Sequence, residues 1–363
     1  MAEVKAELLS RFIPTWGELA LAAQREAPEP ACLLVDFLAG AGTADGLAAE
    51  TTGKILRTIF ASSGSRFALS PAFRTFFSDP SKAALARLEQ HVAELPFYPE
   101  LGHAPVFLLH PDQQEQLREW TRREVPGLLV ADPFGAKAAQ AQVLQALDQA
   151  STDLFLLFEA GKLKASVRGA ATPSPLQQLY GAQLPRVQAY CARITQARKR
   201  EEFILQSLQA AVQERGYHTV VFKMGQPGKY QPCQYLFFAS RATATCNRLK
   251  ELLLEYSETQ EDGVPTLGVN LRPVRLLVPE YAQYLPFSLH NLRQDLLQNA
   301  PQYNRLSLDR IYEKHNLGTP YCRANYLTVM EHLKAEGKIL LVNPKTGQQV
   351  HKLTYQCLIK FKG

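Results

Sequence analysis

The stretch Leu33-Leu34-Val35-Asp36-Phe37-Leu38-Ala39-Gly40-Ala41-Gly42-Thr43 is an apolar run that ends at an aspartate and then turns at two glycines. Such a run is typical of a buried parallel strand, and α/β folds hold their ligands at the tight turn that follows it. Glycine lets the backbone approach a ligand closely, so Gly40 and Gly42 are candidate binding residues and Asp36 is a candidate acid. A strand followed by an ordinary tight loop is the alternative interpretation of the same residues.

Four further apolar runs follow, over residues 73–77, 105–109, 127–131 and 154–158, with helical patterns between them. This alternation predicts a Rossmann-like α/β domain with a mostly parallel sheet. Because the carboxyl ends of parallel strands share one edge, we expect the acids that follow the runs to converge there. They are Asp36, Asp79, Asp112, Asp132 and Glu159. Capping the next helix is the commoner role for an aspartate in such a place.

Composition shifts divide the chain. Residues 1–256 are predicted to form the α/β domain, beginning with an amphipathic helix over 4–24 that Pro14 kinks or interrupts. The weakly patterned insert over 162–185 is predicted to be a loop that acts as a lid, and its Lys162, Lys164 and Arg168 are candidate nucleic-acid contacts. A polar run marks a linker over 257–270, which leaves 271–363 as a second domain.

The second domain has the element order of a winged helix, namely three helical patterns and then a β-hairpin. Arg323, Asn325 and Tyr326 begin the third helix and are candidate contacts to base edges and phosphates. Lys345 and Lys352 flank the predicted wing and are candidate phosphate contacts. A winged helix that binds protein is the alternative.

Charge is distributed unevenly along the chain. The whole chain has a formal net charge of +6, yet residues 264–363 alone carry 13 Lys and Arg against 6 Asp and Glu. All the excess positive charge therefore lies in the C-terminal part, which favours a polyanion partner, and DNA over RNA. A merely basic surface is the alternative.

Several classes of protein are disfavoured. The six cysteines are scattered and form no Cys-x-x-Cys pair, so we expect neither a zinc site nor a disulfide framework, and no metal. No apolar run reaches the roughly 18 to 20 residues of a membrane span, and residues 1–7 lack the features of a signal peptide. We therefore expect a cytoplasmic protein with no membrane partner.

These segments together resemble the three-Cys-motif partner (TcmP) family over nearly the whole chain. The segments that carry the resemblance are the first helix with Trp16, the 36–46 stretch, Asp79-Pro80, Asp132-Pro133-Phe134-Gly135, residues 235–239 and residues 333–339. The resemblance implies a class I methyltransferase-like core with a C-terminal winged-helix-like region. It also implies a three-Cys-motif partner protein and a phage-defence or mobile-element setting.

The resemblance suggests S-adenosylmethionine as cofactor. Gly40 and Gly42 would cradle it beside Asp36, Asp79 would bind its ribose, and Asp112 would lie near its adenine. In one position the chain departs from the family pattern, because Phe77 stands where relatives have the acid that binds ribose.

Three functions stay open. Asp132, Pro133 and Phe134 resemble the loop with which amino-methyltransferases hold a flipped base, the aromatic ring stacking on it, so the first is methyl transfer to a nucleobase. The second is glycosylase-type base excision, in which Asp132 positions water and Asp36 is a second electrostatic partner. The third is a non-catalytic nucleic-acid-binding subunit.

Overall fold

The structure is a computed structural model that describes residues 2–40, 47–62, 68–135, 137–170, 173–226, 232–271 and 285–362. The chain is an α/β protein. It divides into two compact units, the first made of residues 1–221 and 233–252 and the second of residues 222–232 and 253–363.

The predicted apolar runs form the strands of one large sheet. In chain order the strands are β1 (Cys32–Asp36), β2 (Phe73–Phe77), β3 (Val106–Phe107), β4 (Gly127–Ala131), β5 (Thr152–Glu159), β6 (His218–Gly225), β7 (Pro232–Ser240) and β8 (Gly268–Val269). Within the described residues the spatial order is β3-β2-β1-β4-β5-β7-β6-β8. Neighbours from β3 through β5 are parallel, and β7 runs antiparallel to β5. The prediction of an α/β fold with a mostly parallel sheet is confirmed.

Helices connect the strands in the way that a parallel sheet requires. They are α1 (Ala2–Ala22), α2 (Leu47–Ala61), α3 (Lys82–Ala93), α4 (Pro111–Arg122), α5 (Lys137–Leu147), α6 (Ala160–Arg168), α7 (Pro175–Tyr180), α8 (Gln183–Arg193), α9 (Ala197–Gln213) and α10 (Thr243–Leu254). Leu33 and Val35 of β1 share a core with Val143 of α5. Phe77 of β2 belongs to another core with Leu85 of α3. Helices therefore cover apolar strand residues in more than one core, which explains why the strands read as continuous apolar runs.

Helix α1 is continuous from Ala2 to Ala22, with Pro14 inside it. The predicted interruption at Pro14 is therefore wrong. The apolar face of the helix is buried at Leu9, Phe12 and Trp16, and this packing holds the helix together where the proline removes one backbone donor.

Two other predicted segments differ from what is observed. The insert over 162–185 is not a loop in its described part, because α6, α7 and the start of α8 occupy it and bury Leu163, Leu176 and Leu184. The predicted linker over 257–270 contains strand β8, whose Gly268 pairs with Lys223 of β6. Both segments are polar enough to read as loops, yet each places its few apolar residues on one packed face.

The second unit combines helices with a small sheet. After residue 285 its elements are α11 (Leu289–Gln298), α12 (Ala300–Tyr303), β9 (Leu306–Ser307), α13 (Leu308–His315), α14 (Arg323–Ala335), β10 (Ile339–Val342), β11 (Gln349–Val350) and β12 (Leu358–Phe361). The sheet order is β11-β10-β12-β9, and its pairs are antiparallel. Leu292, Tyr326, Met330 and Ile359 lie in one shared core, so the helices pack on this sheet.

Among the described residues, no helix combines the length and the apolar character that crossing a bilayer requires.

Candidate functional site

A cleft of about 640 Å³ in the first unit runs along the sheet between α4 and α5, from the amino ends of β4 and β5, where Gly127 and Thr152 line it, to the edge where β1, β2 and β4 end. Gly40 follows β1, Asp79 follows β2, Asp132 follows β4, and all three line the cleft together with Lys162 of α6. The remaining lining comes mostly from helices α4 and α5 and from the strands β1 and β4. This is the edge of a parallel sheet at which α/β proteins bind their ligands, and the volume is that of an ordinary small-molecule site.

Gly40 and Asp79 contact each other across the ends of β1 and β2. The backbone N–H of Gly40 donates to Asp79 Oδ2 at 3.0 Å, and Asp79 Oδ1 accepts from the N–H of Ser81 at 2.8 Å. A Cβ added to Gly40 would lie 2.5 Å from Asp79 Cγ, so only glycine fits here. The hydrogen bond therefore holds the Asp79 carboxylate against the backbone of Gly40, inside the cleft. Gly42, the second predicted glycine, lies outside the described residues.

Asp36 does not reach the cleft, which corrects its predicted catalytic and cofactor-binding roles. It is completely buried, and its Oδ2 accepts from Lys5 Nζ at 2.8 Å. Its Oδ1 accepts from the N–H of Leu38 at 2.8 Å, while Lys5 also donates to the carbonyl of Leu38. The pair ties α1 to the end of β1, so Asp36 is a structural residue.

The sequence does contain a signal for this pair. Lys5 lies one turn before Leu8 and Leu9 on the buried face of α1, and it is only 2% exposed. A lysine on an apolar helix face is rare unless a carboxylate meets it. Sequence reasoning missed the pair because the partner lies 31 residues away.

Asp132 is the acid in the cleft that is best placed to exchange a proton. Its Oδ1 accepts from the N–H of Phe134 at 3.0 Å, and its Oδ2 lies 3.5 Å from Lys162 Nζ. Burial raises the pKa of Asp132 above its ordinary value, against the opposing effects of the Phe134 N–H and the Lys162 ammonium. Lys162 is also 3.8 Å from Glu159 Oε1, so one ammonium serves two carboxylates.

Pro133 and Phe134 are both buried. The Phe134 ring packs edge-on against Phe158, with 4.8 Å between the ring centroids. The predicted stacking of Phe134 on a flipped base is therefore wrong for this structure, because the ring fills the core.

Asp112 is exposed in the first turn of α4 and does not line the cleft. Gln113 provides the hydrogen bonds at this helix start, its Oε1 accepting from the N–H groups of Leu109 and His110. The cleft instead receives Gln114 from α4, a residue that the sequence analysis did not single out.

Two of the three cations predicted in the insert bind carboxylates. Lys162 lies between Asp132 and Glu159, and Lys164 Nζ donates to Glu201 at 2.7 Å. Neither presents a free charge to a polyanion, whereas Arg168 is exposed.

The residues predicted at the start of α14 serve the core of the second unit. Asn325 is buried, its Nδ2 donating to the carbonyl of Gly263 and its Oδ1 accepting from the N–H of Cys322. Tyr326 is completely buried, with its hydroxyl 2.6 Å from His315 Nδ1. Arg323 forms an ion pair with Asp309. The predicted base contacts by Asn325 and Tyr326 are therefore wrong.

Lys345 and Lys352 are exposed on the segments around β11, and so are Lys360 and Lys362 at the end of the chain. These four lysines are called the wing lysines below. The predicted cations of the wing are therefore exposed, whereas the start of α14 presents only Arg323, which is paired with Asp309.

Compared with known proteins, the chain matches no family model and no curated protein. The resemblance to the TcmP family, with its partner protein and defence setting, stays a prediction. Among the described residues, no three His, Cys, Asp or Glu side chains come together as a metal ion would require.

Proposed function

We propose that the cleft binds S-adenosylmethionine and that the chain is a methyltransferase acting on nucleic acid. The observation that carries the proposal is the contact of Asp79 with the backbone of Gly40 inside the 640 Å³ cleft. The strand order adds support, because class I methyltransferases place an antiparallel seventh strand between the fifth and sixth strands, as seen here. The strand order alone would not support a methyltransferase function, because one fold hosts many unrelated functions.

Asp79 has the chemistry to hold ribose. Each of its oxygens accepts one backbone N–H, and a carboxylate oxygen keeps a further lone pair for a ribose hydroxyl. Gly40 lets the Asp79 carboxylate lie directly against the backbone, since a side chain there would displace it. Asp79 thus provides the acid that the sequence lacks at Phe77.

Phe77 does not fill the cleft. It is completely buried and stacks on Phe107 with 5.4 Å between the ring centroids, in the core that also contains Leu85 of α3. The absence of an acid at the end of β2 therefore leaves the space for a cofactor intact.

When bound, S-adenosylmethionine supplies an electrophilic methyl group. Asp132 is the group that would take the proton lost by an attacking N–H or O–H, since burial raises its pKa toward the range of a useful base. Lys162 holds the Asp132 carboxylate in place, and rotation of its long side chain would open the cleft to the acceptor.

Base excision has less support than methyl transfer. Base excision uses no cofactor, so it would leave the contact of Asp79 with Gly40 in the cleft without a role. The packing of Phe134 against Phe158 bears equally on both reactions, since both were expected to hold a flipped base.

Calorimetric titration with S-adenosylmethionine tests the proposal directly. We expect Asp79→Ala to weaken binding by about 10- to 100-fold, the worth of one or two hydrogen bonds to a charged group. Glu94→Ala is the control, because Glu94 is an exposed acid at the end of α3, and neither it nor its chain neighbours line the cleft. Equal affinity of wild type and Asp79→Ala, or no binding by wild type, would overturn the assignment.

A glycine pair gives a second test. Gly40→Ala places a methyl group 2.5 Å from Asp79 Cγ and should displace the carboxylate, with a loss of affinity like that of Asp79→Ala. Gly53→Ala adds the same methyl group in α2 at an ordinary 3.5 Å from Leu95 and should leave affinity unchanged.

The second unit supports nucleic acid as the acceptor. Its order of α11, the short α12, β9, α13, α14 and the hairpin of β10 to β12 is compatible with the winged helix predicted from the sequence, and the wing lysines lie on that hairpin or beside it. We propose that phosphates contact these lysines, not the buried residues of α14.

Charge reversal at the wing should weaken binding to duplex DNA. We expect the double variant Lys345→Glu, Lys352→Glu to lose at least about tenfold in affinity at low salt and to show a shallower salt dependence, since each lost phosphate contact removes about one unit of slope. Fluorescence anisotropy across salt concentrations measures both. Lys314→Glu, an exposed lysine of α13, is the control. Unchanged affinity in the wing variant would remove the wing from the interface.

A further inference from the structure

A tryptophan flanked by arginines lies at the amino ends of the strands, whereas Asp79 and Asp132 of the cleft follow the carboxyl ends. Trp120, near the end of α4, has the guanidinium carbon of Arg74 at 4.8 Å from its ring centroid and that of Arg123 at 4.3 Å. Arg74 is the second residue of β2, so this cluster marks the amino ends of the strands. Neither the cleft nor the wing uses these residues.

A recess of about 400 Å³ opens beside the cluster. Its polar side chains are those of Arg74, Thr75, His103, Gln116 and Trp120, all of which carry hydrogen-bond donors. Among the described residues no carboxylate lines this recess, whereas Glu29 lines the neighbouring one, which also contains Arg74 and Arg123. The 400 Å³ recess therefore favours an anion.

The guanidinium of Arg74 is held in position but not neutralised. Its Nη1 donates to the carbonyl of Pro71 at 3.1 Å, and within the described residues neither Arg74 nor Arg123 has a carboxylate within ion-pair distance. Burial lowers the pKa of Arg74, the negative charge of Glu29 raises it, and the positive charge of Arg123 lowers it by a smaller amount. The positive charges of Arg74 and Arg123 repel each other across the same Trp120 ring, so a bound anion would be electrostatically favourable here.

His103 completes the set of donors. Its Nε2 lies 3.0 Å from the carbonyl of Pro71, which can only accept, so Nε2 carries the proton. Burial and the nearby Arg74 lower the pKa of His103. The same carbonyl of Pro71 thus positions Arg74 and His103 side by side.

We propose that this recess binds a nucleotide, with the phosphate on Arg74 and on His103 Nδ1, which carries a proton only when the ring is charged, and the base against the planar Trp120–arginine stack. Guanidinium groups bind phosphate in a bidentate way, and bases stack on tryptophan and on guanidinium planes. The nucleotide is either free or part of a strand, and the two sources share this chemistry.

Calorimetry with uridine 5′-monophosphate tests the site, because uracil lacks the adenine of the cofactor proposed for the cleft. We expect wild type to bind, and Arg74→Gln and His103→Gln each to weaken binding by about tenfold or more, the worth of a charge-assisted hydrogen bond. His103 is exposed, so its substitution leaves the fold intact. Uridine alone should bind more weakly than its monophosphate.

Arg122→Gln is the matched control, since Arg122 is on the same helix, carries the same charge and pairs with Glu115. Its affinity should equal that of wild type, and so should that of Asp79→Ala, which separates this site from the cleft. A short oligodeoxythymidylate bound with the same dependence on Arg74 would identify a strand as the source, and binding of the monophosphate alone would identify the free nucleotide. No binding by wild type, or an equal loss in Arg122→Gln, would overturn the proposal.

Discussion

Replacing Lys5 with methionine is expected to lower the free energy of unfolding by about 3 to 5 kcal/mol. Lys5 and Asp36 are both buried, and their charges lie 2.8 Å apart. Methionine keeps most of the volume of the lysine stem but leaves the Asp36 carboxylate buried without a counter-charge. Urea unfolding followed by circular dichroism measures the loss.

A second substitution shows that the loss comes from the unpaired charge. Asp36→Asn keeps an oxygen that accepts from the N–H of Leu38 while removing the negative charge, so the double variant Lys5→Met, Asp36→Asn should regain part of the stability. Lys54→Met is the surface control, because Lys54 and Glu7 are about half exposed and such a pair contributes only about 0 to 1 kcal/mol. Equal losses for Lys5→Met and Lys54→Met would contradict the structural role assigned to the Lys5–Asp36 pair.

The strands were predictable because burial on both faces leaves little room for polar residues. Phe73–Phe77 and Gly127–Ala131 were predicted with the bounds that the structure has, and both are almost wholly buried. The order of the strands was not predictable, since it depends on which strand each crossover reaches and not on the residues within a strand. Only the structure shows β7 next to β5.

The candidate site was predictable where it follows from strand direction. Asp79 and Asp132 line one cleft because the carboxyl ends of β2 and β4 share an edge with β1. Asp36 and Phe134 face inward because of partners that are distant in sequence or on another strand, namely Lys5 and Phe158. The residues around Asp36 and Phe134 in the sequence do not reveal these partners. The only signal is Lys5, a lysine on an apolar helix face.

The predicted base contacts at the start of α14 are wrong for a different reason. Tyr326, Val329, Met330 and Leu333 recur at helical spacing and define the buried face, and Asn325 lies beside it. The helical spacing of these residues can be seen in the sequence, and it places the Tyr326 side chain on the buried face, where it cannot contact a base. Asn325 and Tyr326 have side chains that suit base contacts, but their positions on the helix place them inside the unit.

A half-buried acid, Asp153, gives the second large effect, which is on the pH dependence of stability. Asp153 of β5 accepts from Trp16 Nε1 at 2.8 Å, which joins the sheet to α1. Burial raises the pKa of Asp153 from 3.8 to about 6, although hydrogen bonds from Ser240 and Trp16 oppose the rise. The folded state therefore holds the Asp153 proton more tightly than the unfolded chain does.

The sign of the effect follows from this difference. Well below pH 4 Asp153 is protonated in both states. Between about pH 4 and pH 6 the unfolded chain loses the Asp153 proton first, so the folded state loses about 2 to 3 kcal/mol of stability over that range and no more above it. We expect Asp153→Asn, whose amide oxygen can still accept from Trp16, to be more stable than wild type by up to that amount near pH 7 and equal to it near pH 4. Urea unfolding across this range, with exposed Asp148→Asn as control, measures the difference between the curves. A constant difference between Asp153→Asn and wild type at every pH would show that the carboxyl group of Asp153 does not titrate in this window.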